Sequence, residues 1–283
     1  MFTMNWKSPF SMGLIIVFIT FLSSSVLAQK TIQLKGLSAR PVLDGSASEW
    51  KNVKSVKIPL KGSLGIKSVD LKAGTFGDEV FFLVQWKDST QDIQHKPFVW
   101  NAAKKKYDSG NQKEDRFAIQ FEMTGEYTTD WISGNLFEAD TWHWKAARSN
   151  PAQVAQDKMT IITSNPTRKS YKTKAKNGST IYILRPSDKG DKLYKTARYS
   201  KREKDMMPKY IINKNPKGSI ADVKTNGVWK KGMWTLEMQR KLNTGHPDDV
   251  VFRKGSAVKG GIAVFNRSGD DKHDVSETLT FQF

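Results

Sequence analysis

The stretch DTWHWKAARSNP, residues 140–151, concentrates side chains that bind ligands. His143 lies between Trp142 and Trp144, and two cations, Lys145 and Arg148, follow shortly after it. Imidazole is a common metal ligand, and lysine and arginine pair with carboxylates. On a β-strand the two tryptophans would share one face and His143 would take the other, whereas a short helix would spread the three over a wider arc. The stretch therefore indicates a ligand site, an aromatic platform for a sugar or base, or a polar-decorated piece of core.

Several kinds of chemistry are excluded by what the sequence lacks. It has no cysteine, so disulfides, thiolate zinc sites, iron–sulfur clusters and thioether-linked cofactors are ruled out. It has no Ser-His-Asp spacing, HExxH, GxSxG, phosphate loop or dinucleotide fingerprint. The Asp248-Asp249 pair lacks the interleaved oxygens of a calcium loop, and His95 and His246 lie among turn formers and receive no role. Carboxylate pairs for glycoside cleavage have no sequence spacing, because they meet only in the fold.

The N-terminus has the pattern of a secretory signal peptide. Lys7 is the only charge in the first 28 residues, an apolar run broken only by Thr20 covers residues 14–22, and Val26 and Ala28 occupy the small positions before a cleavage site. The run is shorter than the about 20 residues that a membrane span needs. We expect residues 1–28 to be removed and residues 29–283 to form one periplasmic or secreted domain, not an integral membrane protein. The alternative is an uncleaved anchor.

The positive charge of the chain is concentrated in one region. The formal net charge is +18, and residues 166–217 hold 16 lysines and arginines against four acidic residues. A surface of this kind attracts an anionic partner, such as an acidic electron-transfer protein, lipid headgroups or a cell-wall polymer. A solvated basic insertion without a partner would have the same composition. No nucleic acid is expected, because no recognition-helix or aromatic-strand pattern accompanies the charges.

Short segments of alternating hydrophobicity recur along the chain and predict strands. In DRFAIQFEM (115–123), Phe117, Ile119 and Phe121 share one face, while Ala118 and Gln120 share the other. WKKGMWTLEM (229–238) predicts a hairpin with a tryptophan on each side of its turn. The pattern predicts an all-β fold, an antiparallel immunoglobulin-like β-sandwich with few short helices. The basic region of about 167–218 has one clear strand and predicts a long, partly irregular insertion. The predicted strands are 53–60, 69–77, 79–88, 115–123, 158–164, 179–186, 228–242, 261–266 and 278–283.

A resemblance to known proteins rests on several segments in a fixed order. PVLDGSASEW (41–50) and AGTFGDEVFFLVQWKDST (73–90) resemble the opening of DOMON-like sandwiches, which include sugar-binding modules and heme-binding domains. The later segments resemble the ethylbenzene dehydrogenase-related family, and the resemblance extends from about Val42 to Phe281. It implies a DOMON-like sandwich that binds heme b without a covalent bond. The later segments are EDRFAIQF (114–121), WHWKAAR (142–148), WKKGMWTLEMQRKLNTG (229–245) and DDKHDVSE (270–277).

The resemblance also implies iron ligands. The heme subunits of the family use a methionine and a lysine, and the lysine lies in the last hairpin. Here that place reads DDKH, so Lys272 or His273 is expected to bind the iron, and imidazole is the more usual ligand near neutral pH. The methionine is expected shortly before WHWK, where DWISGNLFEAD (130–140) has none, and Met123 is the nearest upstream candidate. The alternatives are a solvated turn at 272–273 and plain core packing for Met123.

The WHWK stretch would complete the predicted heme pocket. His143 would bind the iron or hydrogen-bond a heme propionate, and Lys145 and Arg148 would pair with the propionates. Trp142 and Trp144 would line the pocket. The alternative is that both tryptophans belong to the core and that His143 is a buried polar group whose hydrogen bonds are satisfied.

The leading prediction is an exported, b-type heme-binding protein that transfers electrons and catalyses no reaction itself. It would act alone or as a subunit of a periplasmic redox system, and its basic insertion would bind an acidic redox partner in a salt-sensitive way. The alternative is a carbohydrate-binding module, with tryptophans near predicted loops as stacking faces for sugar rings. A third hypothesis is a family member that has lost heme and serves in assembly. The candidate sugar-stacking residues are Trp86, Trp100, Trp131 and Trp142.

Overall fold

The computed structural model describes residues 30–269 and 272–283 of the chain. The predicted signal peptide, residues 1–28, lies outside the described residues, as do Asp270 and Asp271 of the last hairpin. The strands are β1 Lys30–Gln33, β2 Lys35–Gly36, β3 Val56–Pro59, β4 Ser68–Phe76, β5 Glu79–Lys87, β6 Phe98–Asn101, β7 Lys106–Ser109, β8 Arg116–Gly125, β9 Phe137–Lys145, β10 Gln156–Thr163, β11 Tyr171–Lys174, β12 Thr180–Leu184, β13 Tyr194–Thr196, β14 Met206–Met207, β15 Tyr210–Ile212, β16 Lys224–Lys230, β17 Met233–Lys241, β18 Ala257–Phe265, β19 Asp274–Val275 and β20 Leu279–Gln282. Short 3-10 helices cover Ser48–Trp50, Asn150–Ala152 and Ser219–Ala221.

Two sheets pack face to face around one main core. The larger sheet has the order β1-β20-β18-β8-β9-β10-β12-β11, with β19 also paired to β18. The smaller has the order β16-β17-β5-β4-β2, with β3 also paired to β4. Within the described residues, β1 with β20 and β2 with β4 are parallel pairs and the other pairs are antiparallel. The predicted all-β sandwich is confirmed. In this part of the chain no helix has the length and apolarity needed to cross a membrane.

The core between the sheets is aromatic. Trp86 stacks on Phe117 at 5.8 Å and on Trp234 at 6.1 Å between ring centroids, and Phe121 packs edge to face against Trp142 at 5.1 Å. Burial of each phenylalanine contributes about 1.5–3 kcal/mol to stability. The predicted inward face of DRFAIQFEM is therefore confirmed. Trp86 and Trp142 are 2% and 0% exposed, so the hypothesis that these two stack on a sugar is wrong.

The hairpin predicted at 229–238 is also present. Strands β16 and β17 pair in register across the turn, with Trp229 opposite Trp234. Lys231 and Gly232 take the positive φ values of 50° and 80° that such a tight turn requires.

The basic region 167–218 contains five short strands where the sequence predicted one. Strands β11 and β12 extend one edge of the larger sheet, β13 pairs with β15, and β14 pairs with β6. The region folds back over the turn after β9, where Leu193 packs with Val154 and the Lys214 ammonium donates to the Pro151 carbonyl at 3.1 Å. The additional strands escaped prediction because runs of two to four residues are too short to show a clear alternation.

Candidate functional site

Strand β9 carries the WHWK stretch and presents its side chains alternately to the two faces of the larger sheet. Trp142 and Trp144 are fully buried in the core between the sheets. The Trp144 ring lies so close to Gly227 of β16 that a Cβ there would be 2.4 Å from it, and its indole donates to Asn150 at 2.9 Å. The two tryptophans thus share the core face, and His143 lies on the opposite, outer face. Neither indole can line a pocket on that outer face.

The outer face of the larger sheet bears a narrow crevice. Its floor consists of small residues on neighbouring strands, namely Ala118 of β8 with Gly261 and Ala263 of β18. The loop 126–136 covers one side with Trp131, and the last hairpin contributes His273. The crevice is tight, with a cavity volume of about 50 Å³. The loop 126–136 packs directly on its floor, since a Cβ at Gly261 would lie 2.2 Å from the Thr129 side chain. Its lining is mainly apolar with a few polar groups, which is the usual composition of a ligand site.

Two histidines contact the same phenylalanine beside this floor. His143 pairs with Ala118 across β8 and β9 and stacks on Phe265, with ring centroids 5.6 Å apart. His273 approaches the Phe265 ring at 5.1 Å and lines the crevice. His143 is 3% exposed, and neither of its ring nitrogens forms a hydrogen bond to a described residue. The sequence alternative in which His143 is a satisfied buried group therefore lacks the required partners in the described part of the chain.

The surroundings of His143 keep its ring neutral. Burial lowers its pKa well below the ordinary value, and nearby cations lower that pKa further. A neutral imidazole offers a lone pair that can bind a metal ion. Buried polar groups are hydrogen-bonded in the large majority of cases. A buried imidazole without such partners is therefore a candidate ligand-binding group. The cations that act on it are Lys145, Arg116, Lys158 and Arg185.

Two of these cations border the crevice. The Arg185 guanidinium carbon is 5.5 Å from the centroid of the Trp131 ring, and that of Arg116 is 4.2 Å from the Phe265 ring. Lys145, which the sequence predicts to pair with a propionate, does not line the crevice; its ammonium donates to Gln156, and burial places its pKa well below the ordinary value, with neighbouring cations reinforcing this. Guanidinium groups beside an apolar crevice are suited to a ligand that carries carboxylates.

Arg148 lies away from the crevice. The buried carboxylate of Glu114 accepts hydrogen bonds from the backbone of Ala147 and from the Arg148 backbone and guanidinium. The same guanidinium donates to the Tyr194 hydroxyl at 3.2 Å. Arg148 therefore joins the turn after β9 to the basic region, and it is not part of the crevice wall.

Two of the four predicted iron ligands are also away from the crevice. Met123 packs against the core side of β8, opposite the face that bears Ala118. Lys272 is exposed to solvent, whereas the adjacent His273 lines the crevice. Among the described residues, no methionine lines it. The structure thus brings His143 and His273 together on one face and leaves Met123 and Lys272 apart from them.

Sequence reasoning missed Phe265 and Arg185. The alternation of DRFAIQFEM had already separated Ala118 and Gln120 from the core face, so one strand of the floor was identifiable. The other walls come from β18, the loop 126–136 and the segment after β12. No spacing rule connects those segments, because they meet only through the order of strands in the sheet.

Comparison with known proteins assigns the chain to a family. A family model described as "Ethylbenzene dehydrogenase" matches residues 47–276. A search of curated proteins gives no match. Among solved structures, a family 9 carbohydrate-binding module from Caldicellulosiruptor kristjanssonii in complex with glucose aligns with a TM-score of 0.40 and 11% identity, over 88% of this chain and 85% of that chain. A putative carbohydrate-binding protein from Bacteroides uniformis aligns with a TM-score of 0.42 and 10% identity, over 89% and 91%. Because the family model spans most of its length, the chain belongs to the ethylbenzene dehydrogenase family.

Proposed function

We propose that the chain binds heme b non-covalently in the outer-face crevice and transfers electrons. The observation that carries the proposal is His143, a buried, neutral imidazole with no hydrogen bond to a described residue, beside a crevice that His273 lines. Heme would supply a one-electron iron couple at this site. The family is compatible with an electron-transfer subunit.

The side chains around the crevice suit a porphyrin in two respects: His273 offers an imidazole, and the Arg185 guanidinium can pair with a propionate. The cavity of about 50 Å³ is too small for a porphyrin as it stands, so heme would bind only after the loop 126–136, which packs on Gly261 through Thr129, moves away from the floor. The absence of a lining methionine among the described residues departs from the ligand pair that the sequence resemblance implies. We therefore assign the iron to His273, with His143 as the second candidate imidazole.

Two regions of the sequence bear on the cellular location of the chain and on its redox partner. The leader-like residues 1–28 support export to the periplasm or beyond, where the chain would serve as a carrier or as a non-catalytic subunit. The basic region 167–218 would bind an acidic redox protein, since opposite charges steer such encounters. Electron transfer to that partner should then slow steeply as salt is raised.

Hemin titration of three variants tests the ligand assignment. His273→Ala should abolish or shift the Soret band, and His143→Phe should weaken hemin binding. Lys272→Ala is the matched control, because Lys272 is exposed and adjacent to His273. Hemin spectra that are unchanged in His273→Ala but lost in Lys272→Ala would assign the iron to lysine instead.

A second candidate function, sugar binding, is favoured by Trp131. Its half-buried indole lies on the crevice wall beside Gln120 and Thr129, which carry hydrogen-bonding groups, and its N–H donates to Oε1 of the Gln120 side chain at 3.4 Å. Aromatic rings with nearby polar groups are suited to sugar rings. A glycan array would detect this activity. Trp131→Ala should remove a sugar signal that His273→Ala leaves intact.

A further inference from the structure

A buried acidic cluster lies at one end of the core, on the opposite face of the larger sheet from the crevice. Asp140 of β9, Asp157 of β10 and Asp249 of the loop after β17 each place one carboxylate oxygen within 4.8 Å of the others. Asp140 and Asp157 are fully buried, and Asp249 is 4% exposed. Three buried carboxylates at this separation require positive charge, because an unpaired buried charge is very costly.

One arginine supplies part of that charge. The Arg240 guanidinium lies 2.5 Å from Asp140, 3.3 Å from Asp249 and 3.7 Å from Asp157. It is held between the rings of Trp142 and Phe252, at 4.9 and 5.2 Å from their centroids. A single guanidinium cannot neutralise three carboxylates.

A fourth aspartate increases the imbalance. Asp188 is 7% exposed, and neither of its carboxylate oxygens accepts a hydrogen bond from a described residue. Its backbone N–H donates to the Asp157 carbonyl at 3.3 Å. Asp188 is thus joined to the strand that carries Asp157, and burial together with the negative charges of Asp140, Asp248 and Asp249 raises the pKa of its carboxyl to about 8.

Further oxygens of the cluster also lack hydrogen-bond donors. Within the described residues, Oδ1 of Asp140 accepts no hydrogen bond, and Oδ2 of Asp157 and Oδ1 of Asp249 have only their longer ion-pair contacts with Arg240, at 3.7 and 3.3 Å. The three aspartates therefore present buried oxygens close together without hydrogen-bond donors. Buried oxygens of this kind are normally satisfied, and the ligand that satisfies a group of carboxylates without donors is a cation.

We propose that Asp140, Asp157, Asp188 and Asp249 bind a hard divalent cation, for which calcium is the best match. Calcium takes oxygen ligands at about 2.3–2.6 Å, so two of its ligands lie at most about 5 Å apart. The oxygens of Asp140, Asp157 and Asp249 satisfy that limit. The ion and Arg240 together would balance most of the charge of the four carboxylates.

The position of Asp188 gives the cation a structural role. Asp188 belongs to the basic region 167–218, whereas the other three ligands belong to the sandwich and the loop after β17. The neighbouring Asp248 accepts a hydrogen bond from the Lys189 backbone, inside the region, at 3.3 Å. It accepts a second from the hydroxyl of Ser219, directly after the region, at 2.8 Å. The ion therefore holds the basic region against the end of the sandwich.

Calcium titration of the purified full chain, stripped with a chelator, tests the proposal. We expect saturable heat in calorimetry, a higher Tm with calcium, and terbium luminescence excited through tryptophan. Asp157→Asn and Asp188→Asn should each weaken calcium binding by about tenfold or more, because affinity follows the charge of the ligands. Asp188→Asn changes a less buried residue and serves if Asp157→Asn does not fold.

Asp222→Asn is the matched control. Asp222 accepts from His246 at 2.6 Å, close to Asp249 but outside the proposed ligand set, and its variant should keep calcium affinity. Three results would overturn the proposal: no calcium heat and no calcium shift of Tm, binding that survives both Asp157→Asn and Asp188→Asn, or binding of zinc alone that is lost in Asp222→Asn.

Discussion

At the residue scale, the stability of the core depends on a buried arginine and the carboxylates around it. Arg240 is fully buried and contacts carboxylates of Asp140 and Asp249. Removing one partner of a buried ionic group leaves the others uncompensated, so Arg240→Met should lower the free energy of unfolding by about 3–5 kcal/mol. Urea denaturation in a chelator measures it. The exposed Arg253→Met is the control and should stay within about 0.5 kcal/mol of the wild type; equal effects of both substitutions would contradict the buried-network account.

The raised pKa of Asp188 makes a pH prediction with a definite sign. A carboxyl with a pKa of about 8 in the folded state binds more protons when folded than when unfolded, so its contribution to stability is lost as pH rises. Without a divalent cation, the stability of Asp188→Asn relative to the wild type should therefore rise between about pH 4 and pH 8. Urea denaturation at several pH values checks this. A stability difference that does not change with pH would show that Asp188 titrates normally.

At the element scale, close packing of β9 against β16 depends on one glycine. A Cβ at Gly227 would lie 2.4 Å from the Trp144 ring, whereas at Gly36 of β2 it would meet nothing within 4 Å. Gly227→Ala should therefore cost about 1–3 kcal/mol through overpacking, as measured by thermal or urea denaturation. Gly36→Ala is the control. Similar stability for the two variants would mean that β16 moves away from β9 without cost.

The elements also show where sequence reasoning succeeds. The alternation in 115–123 and the turn at 231–232 predicted β8 and the β16–β17 hairpin, because strand period and turn chemistry are local properties. For β9 the sequence is compatible with either a strand or a helix, since its buried aspartate and histidine interrupt a hydrophobic pattern. The four cluster aspartates come from separate segments of the sequence, so no local spacing indicates a metal site. Their meeting is set by strand order, which no local pattern contains.

At the scale of the whole molecule, the cation site predicts a link between metal and the basic region. If calcium holds Asp188 in place, a chelator should speed tryptic cleavage within residues 189–217, because local stability controls proteolysis. Calcium should restore the protection in the wild type but not in Asp188→Asn. Cleavage rates that are the same with and without calcium would show that the acidic cluster does not stabilise the basic region.

An absorption spectrum would decide whether the chain binds heme and can carry electrons. The chain should be expressed with ample heme, purified from the periplasm and measured by ultraviolet–visible spectroscopy, first oxidised and then reduced with dithionite. We expect a Soret band that shifts and sharpens on reduction, with split visible bands of a low-spin heme that has two axial ligands. A featureless visible region that persists after hemin titration would contradict heme binding.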